Sequence, residues 1–168
     1  MTYLYCEAKD QTTIALTGTV LKQLLAQLPS LPINISEFYV KLTSKNETPN
    51  IDQLLALTSN VCALYDDVFL VVDALDECQV RASFLPILSQ LNRAGVKVLV
   101  TSRPYKPDIV DFFEDSARLD IIAADDDIEG YVAEQISCNF KYKDIAKRLS
   151  ADMKTTIIST ITKSAQGL

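Results

Sequence analysis

Hydrophobic residues follow two patterns along the chain, short continuous runs and helical stripes. Four runs rich in β-branched or aromatic residues predict strands. They cover residues 2–7 (TYLYCE), 67–74 (DVFLVVDA), 96–101 (VKVLVT) and 118–123 (RLDIIA). Because each run is apolar along its length, we expect a parallel sheet covered on both faces.

The segments between these runs carry apolar residues at helical spacing. In residues 13–28, Leu16, Val20, Leu24 and Leu28 follow one another at steps of four. Similar stripes occupy residues 51–65 and 79–94, whereas residues 29–50 are the least regular stretch. Strands that alternate with helices predict an α/β domain.

The strand pattern stops after Ala123, and helical patterns continue to the end of the chain. The first begins with three aspartates, which the helix dipole favours at an N-terminus. Ser150 is the predicted N-cap of the last helix and Gly167 its end. We therefore predict an α/β core over residues 1–123 and a helical extension over residues 124–168.

Composition and charge narrow the possible partners. A chain of 168 residues with 48% hydrophobic residues has enough apolar surface for one packed domain. Its net charge of −6 and the absence of a Lys/Arg run disfavour binding to nucleic acid. The first ten residues do not read as a signal peptide, and no apolar run approaches the ~18 residues of a membrane span. We expect a cytoplasmic protein that does not bind membranes.

The cysteine and histidine content excludes several site chemistries. The four cysteines stand far apart, which favours buried free thiols over a zinc site; they are Cys6, Cys62, Cys78 and Cys138. Histidine is absent, so Ser/His/Asp and Cys/His catalysis are excluded in their usual forms. No G-x-G-x-x-G loop is present for a dinucleotide.

Acidic residues follow the run at 67–74. Asp73 ends the run, and Asp76 and Glu77 come three and four residues later. A carboxylate at a strand end can hold Mg²⁺, and a second one can orient an attacking water. The alternative is structural, since acids favour a helix N-terminus and Glu77 can pair with Arg81 one turn later.

Polar residues also follow the run at 96–101, namely Thr101, Ser102 and Arg103. Ligands of open α/β sheets bind outside the carboxyl ends of the strands, so we expect these residues to share an edge with the acidic cluster. An arginine there can neutralise charge on a transferring phosphoryl group. Arg103 can equally be an ordinary loop charge.

Two segments resemble a known family. VFLVVDALDEC (68–78) and VKVLVTSRP (96–104) look like the Walker B and sensor 1 segments of NACHT-type P-loop NTPases of the STAND class. The likeness is greatest to the nephrocystin-like N-terminal domains that often precede ankyrin or other repeats in fungal proteins. A weaker likeness extends over nearly the whole chain. The resemblance implies a parallel P-loop-NTPase-like sheet.

The resemblance also implies roles for individual residues. It assigns Mg²⁺ binding to Asp73 and water positioning to Asp76 or Glu77. It places near the γ-phosphate the residues Thr101, Ser102 and Arg103. In this family, exchange and hydrolysis of ATP or GTP switch an oligomerising signalling platform, so the expected partners are other proteins or further copies of the chain.

The phosphate-binding loop G-x-x-x-x-G-K-[ST] is absent, because the four glycines, at positions 18, 95, 130 and 167, are never five residues apart. Loss of its hydrogen bonds, about 5 kcal/mol in total, weakens nucleotide binding roughly several thousand-fold. The family's first strand, expected between the third and fourth runs, is missing too. We expect an inactive fragment or truncated gene product that is marginally stable or aggregates, and that does not bind Mg²⁺-ATP or GTP tightly alone.

Two other functions fit the sequence. The chain can be a non-enzymatic interaction module that keeps the NTPase scaffold. It can also be a receiver-like domain, with Asp73 as phospho-acceptor and Thr101 as switch hydroxyl. Against the receiver, no early acidic pair follows the first strand and no lysine ends the run at 118–123.

Overall fold

Two structural units divide the chain, one spanning Met1–Asp115 and the other Ser116–Leu168. The computed structural model describes residues 1–7, 11–138 and 149–165. The predicted boundary near residue 123 or 124 falls within the second unit, and the predicted domain assignment stays a prediction.

The first unit contains a three-stranded parallel sheet in the order β1-β2-β3. Its strands are β1 (Thr2–Tyr5), β2 (Val68–Asp73) and β3 (Val96–Val100). These strands lie within the first three predicted runs, so a mixed α/β fold with a parallel sheet is confirmed.

Helices connect the strands. α1 (Thr13–Leu25), α2 (Ile33–Lys45) and α3 (Ile51–Cys62) lie between β1 and β2. α4 (Arg81–Arg93) links β2 to β3, and α5 (Pro107–Phe112) follows β3. The N-terminal ends of α1 and α3 are capped by side chains, because Thr12 accepts a hydrogen bond from Ala15 and Asn50 forms a capping box with Gln53.

The core lies between the sheet and helices α1, α3 and α4. Helix α1 buries the stripe that its spacing predicts, including Leu16, Val20 and Leu24. In α4, Phe84 is fully buried. From the sheet, the side chains that enter this core belong to alternate strand positions, such as Leu4, Leu70, Val72 and Val96.

The opposite face of the sheet is exposed, so the prediction of a sheet covered on both faces is wrong for the described first unit. Tyr3, Tyr5, Phe69 and Leu99 are 64%, 61%, 46% and 61% exposed. The physical reason is the strand order. Parallel crossovers are right-handed, so two successive crossovers in the same direction along the sheet put their helices on the same face.

Residues 29–50 contain helix α2, which the sequence pattern did not predict. The helix buries only Ile35 and Leu42, and it ends at Asn46 in the left-handed conformation (φ 53°). So narrow a buried stripe, in a segment with prolines at both ends, gives a weak periodic signal.

The predicted strand at residues 118–123 is not formed, and this prediction is wrong. Leu119, Ile121 and Ile122 are 84%, 86% and 79% exposed. Their composition favours a strand, but β-propensity reflects packing against neighbouring strands and not the backbone alone. Within the described residues this segment has no strand partner.

In the described part of the second unit, helices α6 (Asp125–Cys138) and α7 (Ala151–Ala165) pack together. Ser150 caps α7 by accepting a hydrogen bond from the Met153 N–H at 3.3 Å, which confirms its predicted role. The predicted end at Gly167 lies outside the described residues. No helix in the described ranges has both the length and the apolar character needed to cross a membrane.

Candidate functional site

A sharp turn follows β2 and carries two of the acidic residues, Asp76 and Glu77. Ala74 has left-handed backbone angles (φ 55°, ψ 46°), and a 3-10 turn at Leu75–Glu77 comes next. The end of β3 holds this turn, because the Ala74 N–H donates to the Thr101 hydroxyl at 2.9 Å and the Leu75 N–H donates to the Thr101 carbonyl at 3.0 Å. The two strand ends are thereby joined.

The same hydroxyl contacts the first acidic residue. Thr101 Oγ1 donates to Asp73 Oδ1 at 2.5 Å while it accepts from Ala74. A carboxylate can accept about four bonds, so this contact leaves room for a metal ion on Asp73. The described residues contain no cluster of three or more metal-ligating side chains. One carboxylate at a strand end still fits Mg²⁺, which takes one or two protein carboxylates and completes its shell with water and phosphate oxygens.

Arg103 joins the other two acidic residues. The side chain of Asp76 is 4% exposed, with Oδ1 accepting from the Arg103 N–H at 3.3 Å and Oδ2 lying 3.7 Å from Arg103 Nε. Arg103 Nη2 lies 3.4 Å from Glu77 Oε1, and Glu77 is 40% exposed. A hydrogen bond to Tyr105 and the charge of Asp76 raise the pKa of Arg103, so the guanidinium stays charged.

Five of the six predicted site residues therefore meet at one edge: Asp73, Asp76, Glu77, Thr101 and Arg103. We call this group the rim. The sixth, Ser102, follows Thr101 but donates its hydroxyl hydrogen bond to the Arg103 carbonyl at 2.9 Å. That the polar residues of β2 and β3 meet follows from parallel strands, whose carboxyl ends share an edge.

Arg81 supports the rim and does not form the alternative pair with Glu77. Its Nε lies 2.6 Å from Asp108 Oδ2, and its Nη1 donates to the carbonyls of Asp76 (3.0 Å) and Cys78 (3.4 Å). The hydrogen bond from Arg81 lowers the pKa of Asp108. Sequence reasoning missed this contact, because no local spacing signals a pair 27 residues apart.

Two thiols lie beneath the rim. Cys6 follows β1 and donates its backbone N–H to the Asp73 carbonyl at 2.9 Å, and Cys78 ends the 3-10 turn. Both are free and buried, at 0% and 1% exposure, as the sequence predicted for these cysteines. Burial, followed by the neighbouring Cys78 thiol and the charges of Asp73 and Asp76, raises the pKa of Cys6 to about 12.

Comparison with known families gives a match that covers the rim. Residues 1–103 match the family described as nephrocystin 3, N-terminal. The chain belongs to this family. The nephrocystin 3 N-terminal match runs from β1 to Arg103, so it includes every predicted site residue and both rim thiols. No curated protein matches the chain significantly.

Proposed function

We propose that the chain supplies the Mg²⁺ and γ-phosphate side of a NACHT-type nucleotide site and is part of a nucleotide-dependent signalling switch. The observation that carries this proposal is the rim itself, where Thr101 contacts Asp73 and Arg103 contacts Asp76 and Glu77. Acidic and basic groups at the carboxyl ends of parallel strands are the groups that phosphoryl transfer needs.

We assign the three acidic residues of the rim different roles according to their contacts and exposure. Asp73, held by Thr101, is the Mg²⁺ carboxylate, and bound Mg²⁺ would neutralise charge on the phosphate oxygens. Asp76 is almost fully buried against Arg103, so it positions the arginine and does not reach water. Glu77 is 40% exposed and is therefore the better carboxylate to orient an attacking water.

Arg103 is the group of the rim that would meet the γ-phosphate. Its side chain is 60% exposed although it contacts two carboxylates, and a phosphate oxygen would compete for the same donors. Ser102, with its hydroxyl bonded to the Arg103 carbonyl, would support the loop and would not bind the nucleotide itself.

Another segment must supply the phosphate-binding loop, because none of the 168 residues forms one. In the described sheet, β3 pairs only with β2, so its other edge is open. The family resemblance would put the strand before the phosphate-binding loop at this edge. The chain alone should therefore bind ATP or GTP weakly and hydrolyse neither at a measurable rate.

The test is a titration of the chain with Mg²⁺-ATP and Mg²⁺-GTP, followed through the backbone amide resonances. We expect weak binding, in the millimolar range, with shifts at residues 73–77 and 101–103 that require Mg²⁺. The variant Asp73→Ala/Arg103→Ala should lose them, and Asp73→Asn, which still accepts from Thr101, should weaken them.

The matched control is Arg118→Ala/Asp120→Ala, which removes an exposed acid–arginine pair from the second unit (2.7 Å). It should bind as the unchanged chain does. Shifts outside the rim, or equal binding by the rim variant, would overturn the nucleotide proposal. Micromolar affinity would contradict the need for a separate phosphate-binding loop.

A second candidate is a non-enzymatic interaction module that binds proteins or further copies of the chain. The exposed sheet face favours it, since Tyr3, Tyr5, Phe69 and Leu99 form an apolar surface on a parallel sheet. Complete absence of Mg²⁺-dependent shifts at the rim, together with concentration-dependent association, is the result that would favour this function.

A further inference from the structure

The two edges of the sheet differ in how their backbone groups are satisfied. At the outer edge of β1, the Gln23 side chain accepts from the Tyr3 N–H at 2.9 Å and donates to the Tyr3 carbonyl at 2.7 Å. Gln11 Nε2 donates to the Tyr5 carbonyl at 3.1 Å. These amide side chains take the positions at which another strand would pair, so the outer edge of β1 is closed to further strands.

The outer edge of β3 has no such cover among the described residues. The Thr101 N–H donates to a carbonyl of β2 at 2.9 Å, so the backbone groups of Thr101 face β2. Because these groups alternate in direction along a strand, those of Val96, Val98 and Val100 face away from β2. The Val96 carbonyl accepts from Asn92 Nδ2 at 3.1 Å. In the described sheet β3 pairs only with β2, so Val98 and Val100 present donors and acceptors to a further strand.

Lysine often protects an edge strand from pairing, but the lysine of β3 lies over the sheet. Lys97 Nζ is 2.7 Å from Asp67 Oδ1 and 5.0 Å from the centre of the Phe69 ring. Asp67 directly precedes β2, and Phe69 is the β2 residue that pairs with Lys97. The lysine is therefore drawn towards β2 and would enter an interface with its charge already paired.

The apolar side chains at this edge are incompletely covered. Val98 and Val100 pack against the core but are only partly buried, whereas Val96 is 1% exposed. On the opposite face of the sheet Leu99 is largely exposed. A further strand beside β3 would cover apolar surface on both faces, and this burial would add to the hydrogen bonds of the backbone.

We propose that the outer edge of β3 is a docking site for β3 of a second copy of the chain, with the two strands antiparallel and centred on Val98. The sequence VKVLV is self-complementary in this register. Val98 lies opposite Val98 of the other copy, Val96 opposite Val100, and Lys97 opposite Leu99. The outward backbone groups of the three valines then exchange hydrogen bonds, and the two sheets become one.

The closed edge of β1 limits this assembly to two copies. Pairing of β3 with β1 of the next copy would give an open-ended array, but Gln11 and Gln23 occupy the edge that it needs. Pairing of β3 with β3 uses the same surface on both copies, as a two-fold dimer does. The paired strands have only five residues each, so the dimer should dissociate on dilution.

The dimer does not rest on the nucleotide site. It would, however, occupy the edge of β3 at which the proposed function expects a strand from another segment. Dimer formation and completion of the nucleotide site would therefore exclude each other.

The experiment measures the weight-average mass of the full chain by sedimentation at increasing concentration, beside Val98→Pro and Val98→Thr. Proline removes an outward N–H, which an edge strand tolerates because this group does not bond to β2. Threonine keeps the N–H and the β-branched shape, so it is the matched control. Circular dichroism establishes that each variant is folded.

We expect the unchanged chain and Val98→Thr to approach the mass of a dimer. The dissociation constant of Val98→Pro should be at least about tenfold higher, because both copies lose a central hydrogen bond. A chain that remains monomeric at millimolar concentration would overturn the proposal. So would a folded Val98→Pro variant that dimerises as the unchanged chain does, or equal losses in the proline and threonine variants.

Amide exchange of the unchanged chain provides a second measurement, should the proline variant fail to fold. The N–H groups of Val98 and Val100 should exchange more slowly as concentration rises, whereas that of Leu99, which faces β2, should not change. In a mixture of labelled and unlabelled copies, a nuclear Overhauser contact between Lys97 and Leu99 of different copies identifies the register.

The outcomes separate the edge of the sheet from its exposed face. Association without slower exchange at Val98 and Val100 would show that another surface joins the copies, and it would contradict the proposed dimer. The Mg²⁺-dependent shifts at the rim are measured independently, so failure of the dimer leaves the nucleotide proposal standing.

Discussion

Ala74 has a backbone conformation that a residue with a Cβ rarely adopts. It has φ 55° and ψ 46°, a left-handed conformation that costs a residue with a Cβ about 1–2 kcal/mol. Hydrogen bonds from Ala74 and Leu75 to Thr101 hold it there. The strained residue lies between Asp73 and the other two acidic residues, at the turn that leads from β2 to Asp76 and Glu77.

Replacement of Ala74 by glycine tests this strain. Glycine removes the left-handed penalty but adds about 0.5–1 kcal/mol of unfolded-state entropy, so Ala74→Gly should be neutral or more stable by up to about 1 kcal/mol. Ala56→Gly, at an exposed position inside α3, should instead cost about 1 kcal/mol. Urea unfolding measures both; equal losses of stability would contradict strain at Ala74.

At the scale of elements, one ion pair joins two helices that the sequence separates. Arg81, in the first turn of α4, contacts Asp108, in the first turn of α5, at 2.6 Å. The same guanidinium holds the carbonyls of the acidic turn. Arg81 thus connects the segment after β2 to the segment after β3, and both segments carry rim residues.

The pH dependence of stability tests this connection. Arg81 lowers the pKa of Asp108 below its ordinary value of 3.8 in the folded chain, so the pair stabilises above that value and the contribution is lost as pH falls through the folded pKa. Asp108→Asn should therefore reduce stability near pH 6 and have little effect near pH 2. Asp111→Asn, on the same helix, is the control for urea unfolding at both pH values. A deficit for Asp108→Asn that is equal at both would contradict the pairing.

At the scale of the whole molecule, the first unit has a parallel sheet with one exposed apolar face. Tyr3, Val71 and Leu99 lie side by side across the three strands, and Tyr3 and Leu99 are 64% and 61% exposed. Parallel sheets are normally covered on both faces. An apolar face of this kind, next to the open edge of β3, favours association with another protein surface.

Self-association should therefore depend on this face and not on apolar exposure in general. The variant Tyr3→Thr/Leu99→Thr keeps residues that suit a strand. In sedimentation experiments, its weight-average mass should increase less with protein concentration than that of the unchanged chain. Leu119→Thr removes a side chain that is 84% exposed but is not part of the sheet, and it should leave association unchanged. A similar reduction by Leu119→Thr would show that the sheet face is not the cause.

Particular residues show why some predictions are confirmed and others are wrong. Strands β1, β2 and β3 follow from continuous apolar runs, and helix α1 follows from its period of four. The run at 118–123 also carries β-branched residues, yet it forms no strand, because a strand also needs a neighbour to pair with. Composition can specify a preference for a strand but cannot supply that neighbour.

The sequence alone determined that Asp73 and Thr101 stand at the carboxyl ends of two apolar runs, and parallel strands bring such ends to one edge. Only the tertiary structure decided the partners. It pairs Arg103 with Asp76 and Glu77, and Arg81 with Asp108. It also left one sheet face exposed. Periodicity is local and can be read along the chain, whereas these contacts join segments far apart in sequence, and their geometry depends on crossover handedness and strand order.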